Sequence, residues 1–157
     1  MSKRGLLVRK VAALTDTGNI CLVEQVVPPL EPGRVLVDVR ASLVSPGTEL
    51  GGWRGLSERR SKGGDRKNAK PFGYSNAGVV RQTGAEVKNL RPGDRVACIG
   101  YGYALHTDLA VVPQNLCVPL PRSVTYTQGS YGMLMATALQ ALRRSEAILN
   151  ENVVVVG

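Results

Sequence analysis

The stretch Glu31-Pro32-Gly33-Arg34-Val35-Leu36-Val37-Asp38-Val39-Arg40-Ala41 decides the fold class of this chain. Its proline and glycine predict a tight turn, and apolar residues alternate with polar ones from Val35 through Val39 to Ala41. A period of two is typical of a strand with one buried face. The same unit, a turn that feeds a short strand, recurs along the first 125 residues.

Two β-prone runs precede this unit and several follow it. Leu6 to Leu14 and Ile20 to Val27 are joined by Thr15-Asp16-Thr17-Gly18-Asn19, whose composition suits a hairpin turn with positive φ. Further strands are predicted at Gly73 to Gln82, Arg95 to Cys98, His106 to Val112 and Leu116 to Leu120. Many short strands at this spacing favour a barrel or a sandwich, so the sequence predicts a mainly β fold for residues 1–125.

The pattern changes near the end of the chain. Leu134, Ala138 and Leu142 follow each other at i+4 steps, which predicts a helix, with room for a break, from Thr127 to about Leu149. Val153-Val154-Val155-Val156-Gly157 is typical of a buried parallel strand that enters a phosphate-binding turn. We therefore expect residues 126–157 to be a linking helix and the first strand of a truncated Rossmann domain.

Composition limits the function classes. The chain has 157 residues, is 43% hydrophobic and lacks a run of eighteen apolar residues, so we expect a cytoplasmic protein with no membrane partner. Its three cysteines, Cys21, Cys98 and Cys117, stand singly, which favours neither a disulfide framework nor a zinc knuckle.

The net charge of +8 is concentrated in one segment. The segment from Arg54 to Lys70 contains seven basic residues and two acidic ones. This segment is either an exposed loop or a mobile flap that attracts an anionic substrate. Nucleic acid is not expected as a partner, because the aromatic residues are scattered and supply no stacking platform.

Three stretches resemble the N-terminal catalytic domain of the medium-chain dehydrogenase/reductase superfamily, to which alcohol dehydrogenases and quinone reductases belong. They are Glu31 to Ala41, Gly73 to Val96, and the series of short matches from Tyr103 to Leu142. The resemblance implies a GroES-like β-barrel followed by a Rossmann domain. It also implies an NAD(P) cofactor in the full-length protein, a small-molecule substrate, and hydride transfer to or from a carbonyl or an activated alkene.

The chain departs from the zinc-dependent members of that superfamily. Where they carry a cysteine ligand and a His-Glu pair, this sequence has Ser45, Tyr74 and Ser75. Hydroxyl groups do not replace a thiolate and an imidazole as zinc ligands at neutral pH, so we expect no metal. The lone His106 is expected to be a structural histidine with satisfied hydrogen bonds.

Four motifs are most similar to the zinc-lacking half of bi-domain oxidoreductases. They are Ser45-Pro46-Gly47-Thr48-Glu49, Gly73-Tyr74-Ser75-Asn76-Ala77-Gly78, Gly93 to Gly100 and Pro113 to Pro119. Zinc-free quinone reductases and bacteriochlorophyllide-type dehydrogenases share parts of this pattern and stay open as alternatives.

Without zinc, hydroxyl donors must stabilise charge on a substrate oxygen. We expect Thr48 and Tyr74 to be these donors and Ser45 to be a further candidate, with turn capping or packing as the alternative role for each. Glu49 is expected either to orient Thr48 or to pair with an arginine.

The resemblance places Thr137 near the nicotinamide and Gly157 in the phosphate-binding turn. It also implies that the chain is inactive without its cofactor domain, and it leaves room for a homodimer when that domain is present. The alternative is a stand-alone GroES-like β-barrel that acts as a non-catalytic binding module.

Overall fold

A computed structural model describes residues 6–49, 68–146 and 150–156 of the chain. The strands in these ranges are β1 (Val8–Leu14), β2 (Ile20–Val26), β3 (Arg34–Ser42), β4 (Lys70–Pro71), β5 (Ser75–Thr83), β6 (Arg95–Ile99), β7 (Leu109–Pro113) and β8 (Cys117–Pro119). The helices are α1 (Tyr126–Gly129) and α2 (Gly132–Arg144), with a helical turn at 46–49. The predicted mainly β fold is confirmed.

The larger sheet is antiparallel and has the order β7-β3-β5-β6-β8. Strand β3 lies between β5 and β7. It follows the predicted turn at Pro32-Gly33, in which Gly33 has a φ of +74°. Val35 and Val37 of β3 are fully buried and form the core with residues of β5, β6 and β7. The stretch from Glu31 to Ala41, which supplies most of β3, thus lies at the centre of the fold.

Strands β3 and β5 approach each other very closely at Gly78. A Cβ atom added to Gly78 would overlap the carbonyl oxygen of Asp38 on β3. The register of the pair also shifts between Val39 and Ala41, which indicates a bulge beside this contact. Only a glycine fits here without moving the backbone of β3.

The smaller sheet, of order β2-β1-β4, contains the predicted N-terminal hairpin. Its turn uses one positive φ, at Gly18. The hairpin is tied to the larger sheet where the backbone N–H of Ala12 donates to the carbonyl of His106 at 2.8 Å, and that of Lys10 donates to Oδ1 of Asp108 at 2.8 Å. These bonds hold the middle of β1 against the segment that leads into β7. The pairing of Leu14 with Lys70 of β4 holds the turn end of the hairpin near the start of β5.

The bounds of two predicted strands change because of contacts or local structure nearby. Strand β7 begins at Leu109 rather than at His106, because the His106 side chain is bonded to two other segments and the Thr107 hydroxyl donates to the carbonyl of Lys10 at 2.8 Å. The strand predicted from Leu116 to Leu120 is shortened to β8, since a 3-10 turn occupies Gln114–Leu116.

The predicted long helix is broken in two. Helix α1 begins with a capping box in which Thr125 and Gln128 satisfy each other's backbone N–H groups, and it ends before Ser130. Helix α2 ends at Arg144, and residues 145–146 form a turn. The last part of the predicted helix, 147–149, lies outside the described residues. No helix of the described ranges has the length and apolar character needed to cross a membrane.

The valine run does not form the strand that its composition predicts. Residues 151–156 have no regular secondary structure, and Val154, Val155 and Val156 are 83%, 89% and 92% exposed. A parallel strand exists only when neighbouring strands take its backbone hydrogen bonds, and no described strand pairs with this run. The division into residues 1–125 and 126–157 stays a prediction.

Candidate functional site

An apolar cavity lies where the N-terminal hairpin meets the start of β5. Its volume is about 230 Å³. The residues that line it come from the hairpin, from the helical turn at 46–49 and from the segments beside β5 and β6: Leu14, Ile20, Val44, Thr48, Glu49, Phe72, Gly73, Tyr74 and Tyr101. We call this the hairpin cavity.

A second cavity, of about 350 Å³, shares three lining residues with the first. Thr48, Tyr74 and Tyr101 border both, and the second extends to Met133, Leu134 and Thr137 on α2. We call this the helix cavity. The structure therefore brings together Thr48, Tyr74 and Thr137, which the sequence analysis had assigned to substrate and cofactor. Their roles stay predictions.

Thr48 is presented by a short helical turn with a closed hydrogen-bond ring at its start. Pro46 occupies the first helical position, where its missing N–H has no cost. The backbone N–H of Glu49 donates to the carbonyl of Ser45, and the backbone N–H of Ser45 donates to Oε2 of Glu49, both at 2.9 Å. Ser45 is 5% exposed and lies outside the lining of both cavities, so it helps to shape the turn.

Glu49 pairs with His106, which corrects the prediction made for it. Oε1 of Glu49 lies 3.0 Å from Nε2 of His106, and Nδ1 of that imidazole lies 2.8 Å from Oγ of Ser42. The side chain of Glu49 is 8% exposed and that of His106 is 9% exposed. The ring of Phe72 packs edge-on against the imidazole, with 5.0 Å between the two ring centroids. His106 is thus fully hydrogen-bonded, while Glu49 neither orients the Thr48 hydroxyl by a described bond nor pairs with a described arginine.

Gly73 allows the backbone before Tyr74 to touch the backbone of His106. Its φ is +115°, and a Cβ atom there would lie 2.5 Å from the backbone nitrogen of His106. The backbone carbonyl of Tyr74 then accepts a hydrogen bond from Gly100 at 2.9 Å. These contacts fix the position of Tyr74 between the two cavities.

The donor atoms at this site do not fit a catalytic zinc ion. The Ser75 hydroxyl is buried and donates to the carbonyl of Ser130 at 2.6 Å, and the Ser45 side chain lies outside both cavities. Over residues 6–49, 68–146 and 150–156 no group of three or more His, Cys, Asp and Glu side chains could hold a metal. Zinc prefers thiolate, imidazole and carboxylate ligands in such groups.

Two predicted features lie outside the described residues. One is Gly157, the expected phosphate-binding glycine. The other is the basic segment from Arg54, of which only residues 68–70 are described.

The sequence matches the family model of the alcohol dehydrogenase GroES-like domain over residues 31–122, which is more than half of the chain. The chain belongs to this family. The matched range contains β3 to β8 and most of the cavity lining, and the resemblance to the medium-chain dehydrogenase/reductase superfamily is confirmed.

Two curated relatives of this GroES-like domain are oxidoreductases. Quinone oxidoreductase of Mus musculus is 31% identical over 136 residues, covering 84% of this chain and 39% of that protein. Trans-enoyl reductase of Gibberella fujikuroi is 29% identical over 146 residues, covering 81% and 36%. The chain spans less than half the length of these relatives.

A solved structure from Sinorhizobium meliloti 1021, described as a zinc-binding dehydrogenase bound to NADP, has the same fold. It superimposes with a TM-score of 0.69 at 18% identity, covering 88% of this chain and 46% of that one.

Proposed function

We propose that this GroES-like domain is the substrate-binding half of a zinc-independent, NAD(P)-dependent oxidoreductase that transfers hydride to or from a carbonyl or an activated alkene. The observation that carries the proposal is the helix cavity, in which Thr48, Tyr74 and Thr137 meet. The names of two relatives, quinone oxidoreductase and trans-enoyl reductase, support substrates of this electrophilic kind.

Thr48 and Tyr74 are proposed to hold the reacting oxygen of the substrate. A hydroxyl donor aimed at that oxygen stabilises the negative charge that develops as hydride reaches the carbon. A tyrosine hydroxyl is a poor base at neutral pH, so Tyr74 acts as a hydrogen-bond donor. Ser45 acts indirectly, through the turn that carries Thr48.

NAD(P)H, when bound, supplies the hydride. We propose that Thr137 contacts it: the Thr137 hydroxyl donates to the carbonyl of Met133 at 3.0 Å, and its oxygen can still accept a hydrogen bond from an amide. The dinucleotide itself is assigned to a Rossmann domain beyond this chain, because the chain spans less than half of its relatives. On this view residues 6–156 alone do not catalyse hydride transfer.

The proposal of zinc independence is supported by the donor set, since Ser45, Tyr74 and Ser75 stand where the resemblance implies the thiolate, imidazole and carboxylate ligands of a zinc enzyme. We also propose a cytoplasmic location, to which the free thiols Cys21, Cys98 and Cys117 are suited. A homodimer in the full-length protein and the absence of nucleic-acid and membrane partners remain predictions.

The test uses the full-length protein with NADH or NADPH and an enone or a quinone as substrate. Tyr74→Phe is expected to lower kcat/KM about 100-fold, because it removes one donor to the substrate oxygen. Tyr126→Phe is the matched control, since the Tyr126 ring packs on the Arg95 guanidinium at 4.5 Å and lies outside both cavities.

Absence of hydride transfer with both cofactors would contradict the proposal as a whole. Activity that a chelator removes and zinc restores would contradict zinc independence alone. Equal kcat/KM values for Tyr74→Phe and the control would remove Tyr74 from the mechanism.

A non-catalytic binding module is the second candidate. It is favoured by apolar side chains of α2 that are about half or more exposed, namely Met135, Leu139 and Leu142. The same assay separates the two, because a module of this kind gives no hydride transfer in the full-length protein.

A further inference from the structure

The hairpin cavity is almost wholly apolar and has one acidic residue, Glu49, in its lining. Leu14 and Ile20 of the hairpin, together with Val44 and Phe72, give it apolar walls of the kind that bind apolar ligands. Among the described lining residues Glu49 is the charged one. The cavity therefore combines an apolar interior with a single negative group.

The Glu49 carboxylate is held in place without any need for a bound cation. Its Oε1 lies 3.0 Å from Nε2 of His106, and its Oε2 accepts the backbone N–H of Ser45 at 2.9 Å. With 8% of its side chain exposed, it has little water around it to screen its charge. A second negative charge in the cavity would be repelled.

We propose that the hairpin cavity binds the non-reacting body of an uncharged, apolar substrate and that Glu49 excludes its anionic analogues. This inference rests on the proposed function, because the cavity opens at Thr48 and Tyr74, where the reacting group is placed. It is an alternative to the anionic substrate that the basic segment suggests, and it rests on the described lining of the cavity, which contains no lysine or arginine.

Ile20 is the specificity residue that can be tested most directly. It is the first residue of β2 and borders the cavity. Leu22 lies two residues further on the same exposed face of β2, is 68% exposed and does not line the cavity. Ile20→Glu and Leu22→Glu therefore add the same charge to one strand, inside and outside the site.

The experiment is a titration of this chain, labelled for NMR, with benzalacetone and with its para-carboxylate. These two enones differ by one carboxylate group. We expect benzalacetone to shift the amide signals of Ile20, Phe72 and Tyr101, and its carboxylate to bind about tenfold more weakly or worse. Ile20→Glu should abolish the shifts, Leu22→Glu should retain them, and Glu49→Gln should bring the two affinities together.

Each result decides a part of the inference. Equal affinity of the two enones for the wild-type chain, or tighter binding of the carboxylate, overturns the role of Glu49. Signal changes confined to residues outside the cavity, or equal loss in both strand variants, overturn the site. Because the titration needs no cofactor, these outcomes are independent of whether the full-length protein transfers hydride.

Discussion

The five-stranded sheet and the C-terminal segment both contain many valine and leucine residues, but these residues are buried in the sheet and largely exposed in the segment. Val35 and Val37 at the centre of the sheet are 0% exposed, whereas Val155 and Val156 are 89% and 92% exposed. Helix α2 has no buried residue along its length. Apolar character alone does not bury a residue; a partner surface within the described chain is also required.

The largest expected effect comes from filling the close contact of β3 and β5. Gly78→Ala should lower the free energy of unfolding by about 3 kcal/mol, because the new Cβ overlaps the Asp38 carbonyl oxygen. Gly132→Ala, at the start of α2, has 3.7 Å to its nearest neighbour, Ala97, and should be neutral or stabilising by up to about 1 kcal/mol. Urea unfolding measures both, and equal losses would mean that α2 is packed as tightly as the sheet.

The next effect is the loss of buried methyl groups. Val37→Ala should cost about 2 kcal/mol of unfolding free energy, from lost transfer energy and the cavity left behind. Val155→Ala should change stability by less than about 0.5 kcal/mol. A large cost at Val155, measured by thermal and urea unfolding, would show that the valine run is covered in solution, for instance by a second copy of the chain.

Arg95 is one of the links between the two regions. Its guanidinium donates to the carbonyls of Pro121, Arg122 and Val124 and lies 4.5 Å from the centroid of the Tyr126 ring. Arg95→Met should cost about 1.5 kcal/mol, because three carbonyls lose a charged donor.

Hydrogen exchange locates the effect of that change. We expect faster exchange in α1 for Arg95→Met while β3 and β5 keep their protection. The control is Arg81→Met, which removes an exposed pair with Asp38 at 3.2 Å and should cost less than about 0.5 kcal/mol. Unchanged exchange in α1 would show that other contacts hold the C-terminal segment.

The smallest effect is a dependence on pH. A hydrogen bond with Cys117, burial and the nearby charge of that thiol raise the pKa of Cys98 well above its ordinary value. The Cys98 thiol therefore loses its proton at a lower pH in the unfolded chain than in the folded chain. Its contribution to the free energy of unfolding is fully present below the ordinary thiol pKa and declines as pH rises above that value. At a pH equal to that ordinary value the loss is about 0.4 kcal/mol.

Thiol labelling checks this reading of Cys98. The folded chain should react slowly with an exposed-thiol reagent at Cys98, and Cys98→Ser should remove the alkaline decline in stability. Rapid labelling of Cys98 in the native state would contradict the burial on which the expectation depends.

Local signals predicted the hairpin, the Gly33 turn and the mainly β character of the fold. Each of these depends on residues that are near one another in sequence, such as Gly18 between β1 and β2. The pairing of Glu49 with His106 could not be predicted, because 57 residues separate them and neither carries a local motif that indicates the other.

Tertiary contacts also decided where predicted elements end. The helix breaks near Ser130, whose carbonyl accepts the hydroxyl of Ser75 from the start of β5. Strand β7 begins late because His106 is held by Ser42 and Glu49. Thr48, Tyr74 and Thr137, which the sequence predicts as site residues, line one cavity, and their roles stay predictions. Ile20 of the cavity wall was not predicted, because hairpin residues carry no sequence signal for a site.

The place of β3 at the centre of the sheet has a consequence for how the chain is made. A ribosome finishes β3 at Ser42, but its neighbour β7 begins only at Leu109, roughly 70 residues later. At a synthesis rate of about 5 to 20 residues per second, several seconds pass between the synthesis of β3 and that of β7. During this interval Val35 and Val37 are without their final cover, so chaperone binding to the nascent chain should be concentrated on this strand.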